Sequence, residues 1–458
     1  MMQKKPRVPP HHSPVGRSLI LAAGLALSAI AVPAWSLDLM EVYTAALQED
    51  ASIRGTRAAT DARRERVPQA RAQLLPNVSA SVSRNRNLLE RTSPDFLGDL
   101  STTNLRYSSS NEALTLRQSI YRPFQVAEYR QAQAQVDDAN AILERELQNV
   151  AVRVSTAYFE AALTSEQLAL VLAQKAAYTT QLSSARKRLT SGVGTRTDID
   201  EAQAALDLNV AQELEARQNV DYTYRQIQTL INRPVSSLAR LDPQKIQLIQ
   251  PEPKNVEDWI VLAEDNSPEI QSLKSQLEAA RYEVIKVKAG HLPTLDLIAQ
   301  WSRNSSDTAN TVNSRSNNRL FGLQLNVPVF LGGYVSSQVR QALAEQERAG
   351  QALEGLRRDL GVRLHREFRG VTEGVLKIKA LEQAVRSTEQ VVLSNRLSYE
   401  AGSRTLIDTL NAEQQKSSAQ RDLAQARFTY LISRVRLQAL AGGSKSEVIE
   451  QINGWLKP

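Results

Sequence analysis

Cysteine is absent from all 458 residues. Such a chain has no disulfide staples, no thiol for redox chemistry and no sulfur for an N-terminal lipid anchor, so it holds its fold by burial alone. Histidine is nearly as scarce. Beyond the first 36 residues only His291 and His365 remain, far apart and without metal-ligand spacing. No glycine-rich phosphate loop or nucleophile motif accompanies them, so the chain reads as no enzyme, with no cofactor and no metal. After the leader there is no apolar run of the roughly 18 residues that mark a helical membrane span. An excess of one charge is missing too. Four of the 56 Lys and Arg lie in the first 36 residues, which leaves 52 basic against 49 acidic side chains and no signal for nucleic acid.

What is present begins with a leader. Lys4, Lys5, Arg7 and Arg17 precede an apolar run from Leu19 to Val32, and Ala34-Trp35-Ser36 supplies small residues for cleavage before Leu37. Residues 1–36 read as a secretory signal, the competing reading being an uncleaved anchor. An exported, disulfide-free chain fits a large assembly in a bacterial envelope.

The remainder is duplicated. RAQLLP at Arg71 to Pro76 returns as KAGHLP at Lys288 to Pro293, a spacing of 217. Gly192, Asp198 and Ala202 return as Gly402, Asp408 and Ala412, a spacing of 210. The repeats span 37–232 and 256–442, separated by a proline-punctuated linker at 233–255 and followed by a tail at 443–458. Each copy reads as helix, strand, loop, strand and a long helical hairpin. Leu37 to about Arg71 and Val256 to Lys288 are the short helical stretches. From about Gln125 to Leu189 neither proline nor glycine occurs, and Val154, Tyr158, Ala161, Leu168 and Leu172 keep one face apolar. Some 60 such residues make a rod of roughly 90–100 Å. Thr195 to Ile231 returns along it, and Val335 to Leu440 repeats the hairpin. Small alanines and few aromatics suit close packing of rod on rod.

Strand alternation lies between short and long helices. Leu295, Leu297, Ala299 and Trp301 alternate with Asp296, Ile298, Gln300 and Ser302; Phe321, Leu323, Leu325 and Val327 alternate with Gly322, Gln324 and Asn326. Val78, Ala80, Val82 and Leu114, Leu116, Ile120 are the first-half equivalents, with polar loops expected at about 84–112 and 303–318. Each strand approaches the ~9–11 residues that cross an outer membrane at a tilt. Alternation alone equally describes two soluble β-hairpins. Two features favour the membrane: the helices are committed to one another, and Trp301 sits beside a polar loop where an interfacial girdle residue belongs. Four strands cannot close a barrel and open edges are not tolerated in lipid, so closure demands several copies.

This order of elements, with LPTLDL at Leu292 to Leu297, GGYVSSQV at Gly332 to Val339 and YEAGSRTLID at Tyr399 to Asp408, closely resembles the TolC family of outer-membrane channel-tunnels. The resemblance implies an α+β membrane protein, a homotrimer whose four strands per chain form one 12-stranded outer-membrane β-barrel continuous with a periplasmic α-helical barrel. It also implies partners: outer-membrane lipid, a periplasmic adaptor (membrane fusion protein) and an inner-membrane ABC or RND-type transporter. The function implied is a passive exit duct for type I secretion or multidrug efflux. The competing reading is a soluble periplasmic coiled-coil scaffold or adaptor.

The hairpin turns carry the candidate site. Gly192 and Gly402 are placed to end the incoming helices, and Thr195 or Thr197 and Thr405 to cap the outgoing ones. Asp198 and Asp408 are favourable first-turn residues in any case. The resemblance implies more: Tyr399 and Arg404 on one hairpin bond Thr197 and Asp198 on a neighbour as a latch, while Asp408 lines an entrance constriction. Where the family pattern carries a second acidic residue, this chain has Asn411. Three constriction carboxylates in place of six predict weaker cation preference, which fades on acidification.

Overall fold

The computed structural model describes residues 36–94, 96–308, 311–443 and 446–457. Of the leader, only Ser36 lies within the described residues. The single helix expected from Leu37 to about Arg71 is instead three: α1 (Leu39–Glu49), α2 (Ala51–Arg64) and α3 (Arg66–Ala72). The first break is chemical. Asp50 takes an extended backbone, and its carboxylate accepts the Ser52 amide at 2.7 Å, capping α2.

Two long strands follow, β1 (Asn77–Pro94) and β2 (Leu100–Tyr121), then the first hairpin, α4 (Pro123–Thr190) with α5 (Arg196–Ile231). After a short strand β3 (Arg240–Leu241), the order repeats as α6 (Val256–Asn266), α7 (Pro268–Lys288), β4 (Thr294–Thr308), β5 (Thr311–Asn326), α8 (Tyr334–Glu400) and α9 (Leu406–Leu440). The segment read as a tail is structured: α10 (Glu447–Asn453) and β6 (Leu456–Lys457) fold back, and β6 pairs with β3 through Leu456↔Leu241. Ile449, Ile452 and Trp455 are buried there. Their apolar spacing is too short to stand out from sequence.

α4 and α8 run for 68 and 67 residues. The buried positions of α4 are largely alanine, among them Ala132, Ala139, Ala151 and Ala161. Small side chains let neighbouring backbones approach, and glycine does the same on α8: a Cβ at Gly370 would lie 2.5 Å from Ser433 Oγ and 3.0 Å from Ser433 Cβ of α9. Gly370→Leu is therefore expected to overpack the α8–α9 seam by about 1–3 kcal/mol, read as a lowered midpoint in thermal circular dichroism; an unchanged midpoint would contradict this packing.

The core concentrates midway along the rods, where Tyr158 and Phe159 of α4 are fully buried and meet edge to face at 5.9 Å. Two tyrosine hydroxyls then fasten the linker. Tyr158 donates to Ala239 O at 2.9 Å, and Tyr430 hydrogen-bonds Ile249 through both its amide and its carbonyl at 2.9 Å. A buried phenol needs such partners, and here they position a segment with little regular structure of its own.

The main sheet has the order β1-β2-β4-β5, antiparallel throughout, so β2 and β4 join the two halves. Val78 faces Leu116, Ala80 faces Leu114, Leu114 faces Trp301, and Leu297 faces Leu323. One face is thus apolar and the other carries Ser79, Ser81, Thr115, Gln300 and Gln324. The polar stretches expected as loops at 84–112 and 303–318 are mostly strand. β1 and β2 have 18 and 22 residues, and β4 and β5 have 15 and 16, well beyond a membrane crossing. Backbone ladders hold these extensions, and with polar side chains on both faces they show no alternation to betray them.

At the strand–helix junction, Arg122 bonds the carboxylate of Asp296 through Nε at 2.8 Å and again through its terminal nitrogen, and Arg117 Nε lies at 3.4 Å. Asp296 is 3% exposed. A buried carboxylate held by two guanidiniums joins β4 to the end of β2 and the start of α4.

Candidate functional site

The two hairpin turns are built alike. Gly192 and Gly402 have φ of +75° and +76°, a conformation that costs glycine least. Val193 N donates to Arg188 O at 3.0 Å and Gly192 N to Leu189 O at 3.0 Å. In the second turn Ser403 N donates to Ser398 O at 2.9 Å and Gly402 N to Tyr399 O at 3.0 Å. These paired bonds close both incoming helices in the same left-handed cap. The outgoing helices start with capping boxes: Asp198 N donates to Thr195 Oγ1 at 3.2 Å while Thr195 N donates to Asp198 at 3.1 Å. Thr405 donates to Asp408 Oδ2 through its amide at 3.0 Å and its hydroxyl at 2.7 Å. Thr195, not Thr197, is the cap of α5.

Both aspartates therefore have a structural task within one chain. The hydroxyl of Thr405, then its amide, hold the Asp408 carboxyl below the usual carboxylate range, and the charge of Arg404 adds to this. Asp408 is half-buried, whereas Arg404, Thr197 and Asn411 are exposed.

Tyr399 joins the hairpins. Its ring is buried with Tyr178, Leu182, Ala185, Ala202, Leu406 and Leu410, a second small core at the rod ends. The Arg188 guanidinium lies 4.5 Å from the centre of that ring. Burial pushes the Tyr399 hydroxyl pKa up, and the negative charge of Asp198 raises it further. The structure so brings Tyr399 and Asp198 into each other's field inside one chain. It does not bring Arg404 to Thr197 or Asp198 there. Arg404 forms no ion pair among the described residues. Asn411 lines a groove of ≈ 310 Å³ among α4, α5 and α9 with Tyr178, Asn209, Ile407 and Gln414.

The duplicated half-molecule and its paired hairpins have counterparts among known proteins. A family model described as outer membrane efflux protein matches residues 42–233 and 259–443. The chain belongs to the outer membrane efflux protein family. It is 33% identical over 411 residues to the alkaline protease secretion protein AprF of Pseudomonas aeruginosa, covering 89% of this chain and 85% of that protein. It is 29% identical over 444 residues to the proteases secretion protein PrtF of Dickeya chrysanthemi, covering 96% and 95%. It is 27% identical over 454 residues to the outer membrane protein TolC of Escherichia coli, covering 96% and 89%. The solved structure of the outer membrane protein VceC from Vibrio cholerae shares the fold, with a TM-score of 0.76 at 19% identity over 89% of this chain and 96% of that one.

Membership of the outer membrane efflux family confirms the resemblance read from the LPTLDL, GGYVSSQV and YEAGSRTLID motifs. It places the protein in the outer membrane as a transport duct with a large periplasmic helical portion. Two features of this family member escaped the sequence. The Arg188–Tyr399 stack joins residues from two different hairpins, and the Arg122–Asp296–Arg117 cluster joins two repeats. The one available signal for the second was Asp296 itself, an acid within an alternating strand.

Proposed function

We propose that three copies of this chain close one 12-stranded barrel and one helical tunnel, forming the outer-membrane exit of a tripartite pump. The observation that carries the reading is the uncovered sheet. β1 and β5 are its edges, and Phe321, Leu323 and Leu325 on its apolar face are 77%, 67% and 63% exposed. Lipid suits that face, and only sister strands satisfy those edges within lipid. Three copies give a lumen wide enough for water. The test is migration on SDS gels without heating: a heat-modifiable trimer extracted only by detergent is expected, and a monomer soluble in buffer would overturn the reading.

The likeness to two protease secretion proteins favours exported polypeptide as cargo, handed over by a periplasmic adaptor and an inner-membrane ABC-type transporter. Deleting the gene should remove a polypeptide from the culture supernatant; a supernatant unchanged while drug susceptibility rises would assign the duct to efflux, with an RND-type pump.

The hairpin turns form its entrance. Arg404, in no ion pair among the described residues of its own chain, reaches Thr197 and Asp198 of the next protomer, and Tyr399 supports Asp198 from within. Three Asp408 carboxylates ring the constriction, with Asn411 neutral beside them. Asp408→Ala is expected to lose most of the cation preference measured by reversal potential, because focusing in a narrow mouth follows charge count.

Two influences set its pH response. Neighbouring carboxylates raise one another's pKa, and the Thr405 bonds lower that of Asp408. A lowered value keeps the group ionised further into acid, so both selectivity and the cap are lost as pH falls through it. Thr405→Ala removes the hydroxyl bond and should move the fading of selectivity to higher pH. An identical pH profile would separate Asp408 from the selectivity.

A further inference from the structure

The strand register assigns residues beyond the apolar band to faces. Val78, Ala80 and Val82 share their face with Leu114, Leu116, Trp301 and Phe321. Followed away from the helices, that face carries arginine. Trp301 lies across from Arg319, and Glu112 across from both Val82 and Arg303. Arg84 lies across from Ser110, Ser110 across from Ser305, and Ser305 across from Arg315. Arg86 and, across from Leu88, Arg106 complete the series. All six arginines are exposed, and none enters an ion pair among the described residues. The carboxylates of this face are Glu90 and Glu112; Asp307 accepts the Asn313 amide at 3.3 Å near the tip.

Guanidiniums on the lipid-facing wall, just past the apolar band and without carboxylate partners, call for external anions. Arginine binds phosphate bidentately and is the weakly hydrated cation best suited to that position. Because the helices are periplasmic, this belt faces the outer leaflet. Its depth identifies the anion further. From Arg319 to Arg106 the register advances by four two-residue steps, roughly 25 Å along the strand and roughly 18 Å in height at a 45° tilt. A phospholipid headgroup layer is only about 5–7 Å deep. A headgroup of several phosphorylated sugars fills the larger depth.

We propose that this arginine belt binds the phosphates of outer-leaflet glycolipid, holding the barrel at a fixed depth within a shell of that lipid. The inference rests on the barrel reading above. Purified trimer in detergent is incubated with deep-rough lipopolysaccharide, with the same material after phosphatase, or with phosphatidylglycerol, and bound lipid is counted by native mass spectrometry. Retention of the phosphorylated glycolipid is expected to exceed that of the other two by about tenfold or more. The variant R84Q/R303Q/R315Q/R319Q should lose that advantage, while Arg91→Gln, on the opposite face, should keep it. Equal retention of the phosphatase-treated glycolipid or of phosphatidylglycerol overturns the proposal, as does a quadruple variant that binds like wild type or an Arg91→Gln trimer that loses as much. Should the quadruple variant not assemble, the three-lipid comparison on wild type decides alone. Failure of the barrel reading is seen separately, as the absence of any trimer before lipid is added.

Discussion

Arg404→Ser is expected to raise single-channel conductance in planar bilayers, by opening the periplasmic entrance without touching the barrel. Arg404 is exposed and forms no ion pair among the described residues, so its loss leaves no buried vacancy and no helix uncapped; Thr405 and Asp408 still start α9. What is removed is the contact proposed to the next protomer, together with a charge that helps hold the Asp408 pKa down in its own chain. An exposed charged contact is worth about 0.2–1 kcal/mol. In the proposed trimer, opening as a unit, three are lost together, roughly 0.6–3 kcal/mol, which shifts the closed-to-open ratio by about 3–160-fold. Raising ionic strength should mimic part of the effect in wild type and little in the variant, because the contact is screened. Tyr399→Phe should do less: it keeps the ring among Tyr178, Leu182 and Leu406 and under Arg188, and loses only the hydroxyl that feels the charge of Asp198. Conductance unchanged in Arg404→Ser at every salt concentration would remove the latch from the mechanism.

How much of this was legible beforehand depended on whether the signal was periodic. α4 and α8 were readable because dozens of residues repeat one apolar stripe without a breaker, and the turns because Gly192 and Gly402 are followed by a threonine cap and an aspartate at a fixed interval. The sheet was readable only where lipid imposes alternation, at Val78–Val82, Leu295–Trp301 and Phe321–Val327. Beyond it, Arg84 to Pro94 and Leu100 to Glu112 pair through the backbone ladder, helped by polar side-chain bonds such as Asn87 to Ser109 and Thr92 with Thr102, and their side chains read as loop. The break at Asp50 was missed because a cap inside an apolar stripe resembles any surface acid. For the site, sequence named the residues but not their alliances. Asp198 and Asp408 are capping-box partners of Thr195 and Thr405 first, and Tyr399 is a core residue before it is anything else. These tasks depend on which hairpin lies beside which, information that no single helix contains.

The junction between sheet and rods offers the largest expected change in stability. Asp296→Ala removes a carboxylate 3% exposed and leaves Arg122, with a side chain 30% exposed, without the partner it holds twice. Breaking one side of a buried pair costs about 3–5 kcal/mol when the survivor is fully enclosed. Arg122 keeps some access to water, so about 2–3 kcal/mol is expected. The readout is the temperature at which the unheated gel band of the proposed trimer converts to monomer, which should fall by several degrees. Arg117→Gln should fall less, since its guanidinium stands 3.4 Å away and its side chain is half exposed. Asp296→Asn should lie between, keeping shape and one acceptor. Combining Asp296→Leu with Arg122→Met supplies the decisive contrast, because apolar side chains of similar volume leave no charge stranded and often restore stability. If Asp296→Ala melts with wild type, the cluster is an incidental surface pairing. If instead the double replacement melts as low as Asp296→Ala, the pair is needed for the geometry that turns strand β2 into the long rod α4, a demand that packing alone does not meet.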